Sequence, residues 1–150
     1  MTSNLSIAMP SESKTYWARV DIYNPFVMGG HVWQWYKYKI TADVIEHTIA
    51  GYDAFAFFDD HSGKWTVYET STGGWLASHV ELERALFRAK YDIDRTPDFQ
   101  KQMDEMRSLD SLPEYDTEEA LRRLAKTREN HIDPDEEDIN NMKPNRVLEL

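Results

Sequence analysis

Hydrophobic and polar positions alternate along the first part of the chain, then take up a helical period. Between Lys14 and Tyr23, Tyr16, Ala18, Val20 and Ile22 fall on one face. Trp17, Arg19, Asp21 and Tyr23 fall on the other, which predicts a strand. Asn24-Pro25 breaks it and Gly29-Gly30 offers a turn. His31–Ile40, reading HVWQWYKYKI, predicts a second strand with β-formers on both faces, so alternation does not choose the buried one. Ala42, Ile45 and Ile49 share a face at helical spacing, with Thr41 placed to cap and Gly51 to stop. A short helix over 41–50 is the expectation. Asp53–Phe58 and Lys64–Thr70, joined by the turn Asp59–Gly63, form the clearest hairpin.

After that hairpin the period becomes helical. Ser71-Thr72-Gly73-Gly74 leaves the sheet, and Trp75-Leu76 folds back on it. Ser78 and Glu81 spell a capping box for a helix to about Lys90, with Leu82, Ala85, Leu86 and Ala89 as its apolar stripe. Thr96-Pro97 opens a further helix lined by Phe99, Met103 and Met106. Asp116 and Glu119 cap another, with a stripe of Leu121, Leu124, Ala125 and the stem of Arg128. The predicted fold class is α+β: a four-stranded, mainly antiparallel sheet in the order β-β-α-β-β-α, then two amphipathic helices and an acidic tail. In domain terms, 1–13 is a leader, 14–92 the core, 93–130 a helical extension and 131–150 the tail.

Composition narrows the function classes. The chain has 150 residues, 41% of them apolar and 13% aromatic, enough for one aromatic-rich core. It has no cysteine, which excludes disulfides, thiolate metal sites and cysteine nucleophiles. The N-terminal stretch lacks the basic start and apolar run of a secretory signal, and no segment is apolar enough to span a membrane. A cytoplasmic location is expected. The net charge is −10, and it opposes a phosphate backbone at long range while allowing a partner protein with a basic surface.

Candidate chemistry is sparse. His31, His47, His61, His79 and His131 never reach a ligand spacing, so neither metal nor cofactor is expected. Asp59-Asp60-His61 is the densest titratable cluster on the sheet and the only candidate for acid–base catalysis, set against a plain polar turn. The Ser71–Gly74 turn could cradle an anion, but neither a Walker lysine nor a G-x-S-x-G pattern accompanies it. Trp33, Trp35, Tyr36 and Tyr38 interleave with Lys37 and Lys39. Rings on both faces exceed what a one-sided sheet needs and point to core packing, with one face covered by the later helices, or to a partner surface. With Arg19 and Lys64 they could also stack single-stranded nucleic acid. The run Asp133, Asp135, Glu136, Glu137 and Asp138 resembles a calcium loop only superficially, because Asp138 stands where its glycine is needed and Pro144 where its glutamate is needed. It reads as a solvated charged tail, with a segment that orders against a basic groove as the functional alternative.

The stretch Trp65 to Gly73, of pattern W-x-V-x-E-x-x-T-G, followed by a helix carrying Glu83, Ala85 and Ala89, resembles a hairpin-and-helix cassette of small phage- and plasmid-encoded proteins. That cassette continues with a glycine before its helix, where this chain has Ser78-His79. The resemblance brings no catalytic residue. It implies a mobile-element origin and a non-enzymatic protein that binds and modulates or inhibits a host protein, for example a defence or nucleic-acid-processing complex. The alternatives are a nucleic-acid module on the aromatic and lysine face, and a small enzyme around Asp59, Asp60 and His61. The narrow helical stripes are also compatible with self-association.

Overall fold

The computed structural model describes residues 14–24 and 32–128. Among them, β1 (Trp17–Asn24) and β2 (Val32–Lys39) form a two-stranded antiparallel ribbon. β3 (Ile45–Ile49), β4 (Tyr52–Asp59), β5 (Lys64–Glu69) and β6 (Gly74–His79) form an antiparallel sheet in that order. Three helices follow: α1 (Leu82–Arg95), α2 (Phe99–Glu105) and α3 (Thr117–Arg128). No helix among the described residues is long and apolar enough to cross a membrane.

The sequence of β4 explains the layering. Successive strand residues point to opposite faces, so Ala54 and Ala56 face one way and Phe55 and Phe57 the other. The alanine face meets α1. Val67 and Ala77 of the sheet pack with Ala85, Ala89 and Ile93 of the helix, small side chains that let helix and sheet approach closely. The phenylalanine face meets the ribbon. There Phe55, Phe57 and Tyr68 pack with Ala18, Val20 and Tyr38, and Ala120 of α3 joins them. Phe57 and Tyr68 stack at 6.0 Å, and the Tyr38 and Tyr68 hydroxyls hydrogen-bond at 2.6 Å in the middle of this core. Burial first, and then Tyr68, push the Tyr38 phenol well above its ordinary pKa. The sheet is thus covered on both faces.

The observed class is α+β, with an antiparallel four-stranded sheet and helices; the expected hairpin stands as β4 and β5, but β1 and β2 form a separate ribbon and β3 and β6 complete the sheet in their place. The predicted helix over 41–50 is β3. Ile45 and Ile49 fit a strand period as well as a helical one, and Val44, Thr48 and the two isoleucines are β-branched, which favours the strand. Ala50 and Gly51, both at positive φ, make the tight hairpin turn to β4, so Gly51 serves a turn and not a helix end. Trp75 and Leu76 do return to the sheet, as part of β6, with a register shift opposite Val67 and Tyr68. Ser78 therefore caps nothing. It lies in β6, where its hydroxyl donates to Thr66 across the strands, and α1 begins at Leu82 without a side-chain cap. α1 also runs on past Lys90 to Arg95, with Ile93 extending its stripe, and α2 begins at Phe99, after Pro97. Asp116 caps α3 as expected, its carboxylate accepting the Glu119 N–H at 2.9 Å. The expected tail lies outside the described residues.

The ribbon is fastened to the sheet at the Ser71–Gly74 turn. Arg19 N–H donates to the Gly73 carbonyl at 2.9 Å. Gly73 has φ +70, and a Cβ there would lie 2.9 Å from the Trp17 carbonyl oxygen and 3.1 Å from the Ala18 Cα. Only glycine allows both the backbone conformation and the approach of β1. Gly73→Ala is therefore expected to lower stability by at least ~1–3 kcal/mol, the usual cost of a strained left-handed residue. A urea melt should show a lower midpoint with an unchanged slope. An unchanged midpoint would contradict this crossing.

Candidate functional site

Ribbon register sorts the aromatic residues. Ala18, Val20 and Ile22 stand opposite Tyr38, Tyr36 and Gln34, and this row faces the core. Arg19, Asp21 and Tyr23 stand opposite Lys37, Trp35 and Trp33 on the face away from that core, where Arg19 is buried and the rings of Tyr23, Trp33 and Trp35 are exposed. Of the aromatic residues singled out from the sequence, Tyr38 is core and Tyr36 is half-buried against Tyr115, ring centres 5.1 Å apart. They belong to the fold and not to an open surface. Trp33 is 63% exposed, Trp35 41% and Tyr23 40%, which is far more than a structural aromatic ring needs. Tyr23 and Trp33 rest ring to ring at 5.0 Å.

These outward residues edge a groove of about 530 Å³, within the ~300–1,000 Å³ typical of ligand pockets. β1 from Arg19 to Tyr23 forms one wall. Gly74 and Trp75 of β6 and the last turns of α3, with Arg123, Leu124, Thr127 and Arg128, form the opposing one. Met106, just past α2, also lines it. The cations are held differently. The Arg19 guanidinium is buried, lies 5.2 Å over the Trp35 ring, and donates to the Thr72 and Arg107 carbonyls at 2.7 Å each. Burial lowers its pKa and the charge of Glu69 opposes that lowering. Arg123 pairs with Glu119 at 2.7 Å. Arg128 lies over the Trp75 ring at 4.1 Å. Asp21 is the exception in sign. One of its carboxylate oxygens is buried without a hydrogen-bond partner among the described residues, and burial raises its pKa.

The other sequence candidates resolve into structural roles. Asp59 is buried at the end of β4, where its carboxylate accepts the His61 N–H at 2.9 Å and the Ser62 hydroxyl at 3.1 Å. The His61 ring bridges Asp59 at 3.5 Å and Glu118 of α3 at 3.2 Å, tying the hairpin tip to that helix. Asp60 is exposed in the same turn. The Ser71–Gly74 turn does cradle an anion, and the anion is the chain's own. Glu69 accepts the N–H groups of Ser71 and Thr72 at 3.0 and 2.8 Å and their hydroxyls at 2.8 and 2.6 Å. Lys64 starts β5 of the larger sheet, so it does not join Lys37 and Lys39 on the ribbon. Lys37 itself lies 4.8 Å over the Trp17 ring. The acidic run of Asp133, Asp135, Glu136, Glu137 and Asp138 lies outside the described residues.

A second hollow of about 340 Å³, lined by Lys14, Glu46, His47 and Asp53 among others, lies along β3 and β4. Lys14 and the Tyr16 hydroxyl both engage Glu46 there. Among the described residues no set of histidine and carboxylate side chains is placed to hold a metal. Sequence reading found the two tryptophans but not Asp21, Trp75 or Arg123, because β6 and α3 meet β1 only through long-range folding. Asp21 did carry a signal, as an acid in an outward row of rings and cations.

No family model, curated protein or solved structure matches this chain.

Asp21 gives a prediction for stability against pH. Its folded pKa is raised above the unfolded one, so its favourable contribution is present only below the unfolded value. That contribution is lost as pH rises through the folded value. At neutral pH the carboxylate is a net cost. Asp21→Asn should raise the melting temperature at pH 7, with the gain shrinking below about pH 4. An equal effect at both pH values would show that the charge is not the cause.

Proposed function

We propose that this chain is a non-enzymatic binding module whose outward ribbon face and groove engage a partner protein. The observation that carries the reading is the exposure of Trp33 and Trp35 on a ribbon whose other face is already fully used by the core. Large rings beside arginine are the residues that concentrate binding energy in protein interfaces. The Arg19 guanidinium stacked under Trp35 holds one ring in place, which lowers the ordering cost of association. The groups of the acid–base candidate, Asp59 and His61, are engaged in the hairpin tip and offer no comparable surface.

The net charge of −10 steers the chain toward a partner that is basic as a whole, in the cytoplasm, through long-range attraction. The likeness of residues 65–90 to the mobile-element cassette supports a host protein as that partner, with inhibition or modulation as the outcome. Asp21 in the groove, together with the overall charge, works against nucleic acid.

Capture from a bacterial lysate on the tagged full chain, with and without nuclease, tests this reading. Trp33→Ala combined with Trp35→Ala should keep the circular dichroism of the parent, since both rings face outward, and reduce capture of a nuclease-resistant partner at least tenfold. Undiminished capture by the folded double variant would remove the ribbon face from the interface. Capture that nuclease abolishes would replace the protein partner with nucleic acid.

A further inference from the structure

The groove has a main-chain wall as well as side chains. Arg19 and Lys37 are paired across the ribbon. Their amides point away from each other, Arg19 N–H to the Gly73 carbonyl and Lys37 N–H to the Pro113 carbonyl, both at 2.9 Å. In an antiparallel ladder the groups that face outward recur every second residue, so Asp21 presents its N–H and C=O to the same edge as Arg19. Gly73 serves Arg19, and the chain then turns into β6. No described residue bonds the outward main chain of Asp21. The opposite edge shows the filled state. There Glu114 bridges Lys37 in parallel, and Tyr115 N–H donates to the Lys37 carbonyl at 2.8 Å. A strand edge left unpaired beside a groove is a template for another extended chain.

We infer that the partner contributes an extended acidic segment, which adds as a strand to the β1 edge at Asp21 and sets a carboxylate on Arg128. This rests on the protein-binding reading and names what enters the groove. Arg128 lies over the Trp75 ring and has no carboxylate within ion-pair distance among the described residues. Arg19 adds positive potential on the facing wall. Strand addition draws affinity from main-chain bonds and specificity from alternate side chains. Trp33 and Trp35 offer apolar contact for one row of those side chains, and Arg128 offers charge for the acidic ones. The orphan oxygen of Asp21 receives a donor from the incoming segment. A phosphate backbone brings no such donor.

The probe is a fluorescein-labelled peptide of about six residues that alternates valine and glutamate, read by anisotropy on the full chain. Its controls are the same peptide N-methylated at every second amide, a valine–lysine counterpart, and oligothymidylate of similar length. The valine–glutamate peptide should bind best, with losses of about tenfold or more on N-methylation, on exchange of glutamate for lysine, and in Arg128→Glu. Equal binding of the methylated or lysine peptides, preference for oligothymidylate, or no binding of any peptide overturns the inference. Lysate capture that needs Trp33 and Trp35 but ignores Arg128→Glu sinks strand addition while the protein-binding reading stands. Loss of Trp33 and Trp35 dependence sinks both.

Discussion

The fold depends on one buried carboxylate. Glu69 ends β5 and takes hydrogen bonds from two amides and two hydroxyls of the turn that follows. A buried charge is tolerated only when it is met in this way, and hydrogen bonds to charged groups are roughly twice as strong as neutral ones. The turn so fixed aims the Thr72 and Gly73 carbonyls at Arg19, one for its side chain and one for its main chain. Without that geometry the ribbon keeps its apolar contact with the sheet and the Tyr38–Tyr68 hydroxyl bond, but loses the bonds from Arg19 to the turn. Hydrophobic burial alone is not directional. The Glu69 turn supplies the direction, while the alternation of Ala18, Val20 and Ile22 with Arg19, Asp21 and Tyr23 decides which ribbon face is buried.

Much of this was legible in the chain, and the failures have physical reasons. The hairpin of β4 and β5 was readable from its turn, but the alternation of alanine and phenylalanine in β4, which marks a sheet covered on both faces, was not read as such. The stripe of α1 and the cap of α3 were likewise readable, because they are local. β3 was misread because Ile45 and Ile49 satisfy two periods at once over so short a segment, and the β-branched neighbours decide between them. β6 was half-seen, since a register shift interrupts its alternation. The capping box at Ser78 was a coincidence of spacing, because Ser78 is occupied with Thr66 on the neighbouring strand.

The candidate site followed the same rule. Trp33 and Trp35 were found because aromatic density is a local signal. Tyr36 and Tyr38 belonged to the same segment but turn inward, a distinction set by register and not by composition. The opposing wall, from Trp75 to Arg128, comes from elements far apart in sequence and could not be read without the fold. The turn that resembled an anion cradle is one, with its anion built in. The cluster around His61, the best catalytic candidate in the sequence, joins the hairpin tip to α3.

The most direct measurement is amide hydrogen exchange, residue by residue, on the parent and on Glu69→Gln. Gly73, Arg19 and the rest of β1 should lose protection in the variant well ahead of β4, because the turn no longer holds the ribbon while the sheet keeps its helix. Unchanged protection of β1, or equal loss in β1 and β4, would contradict the claim that this carboxylate fixes the ribbon on the sheet.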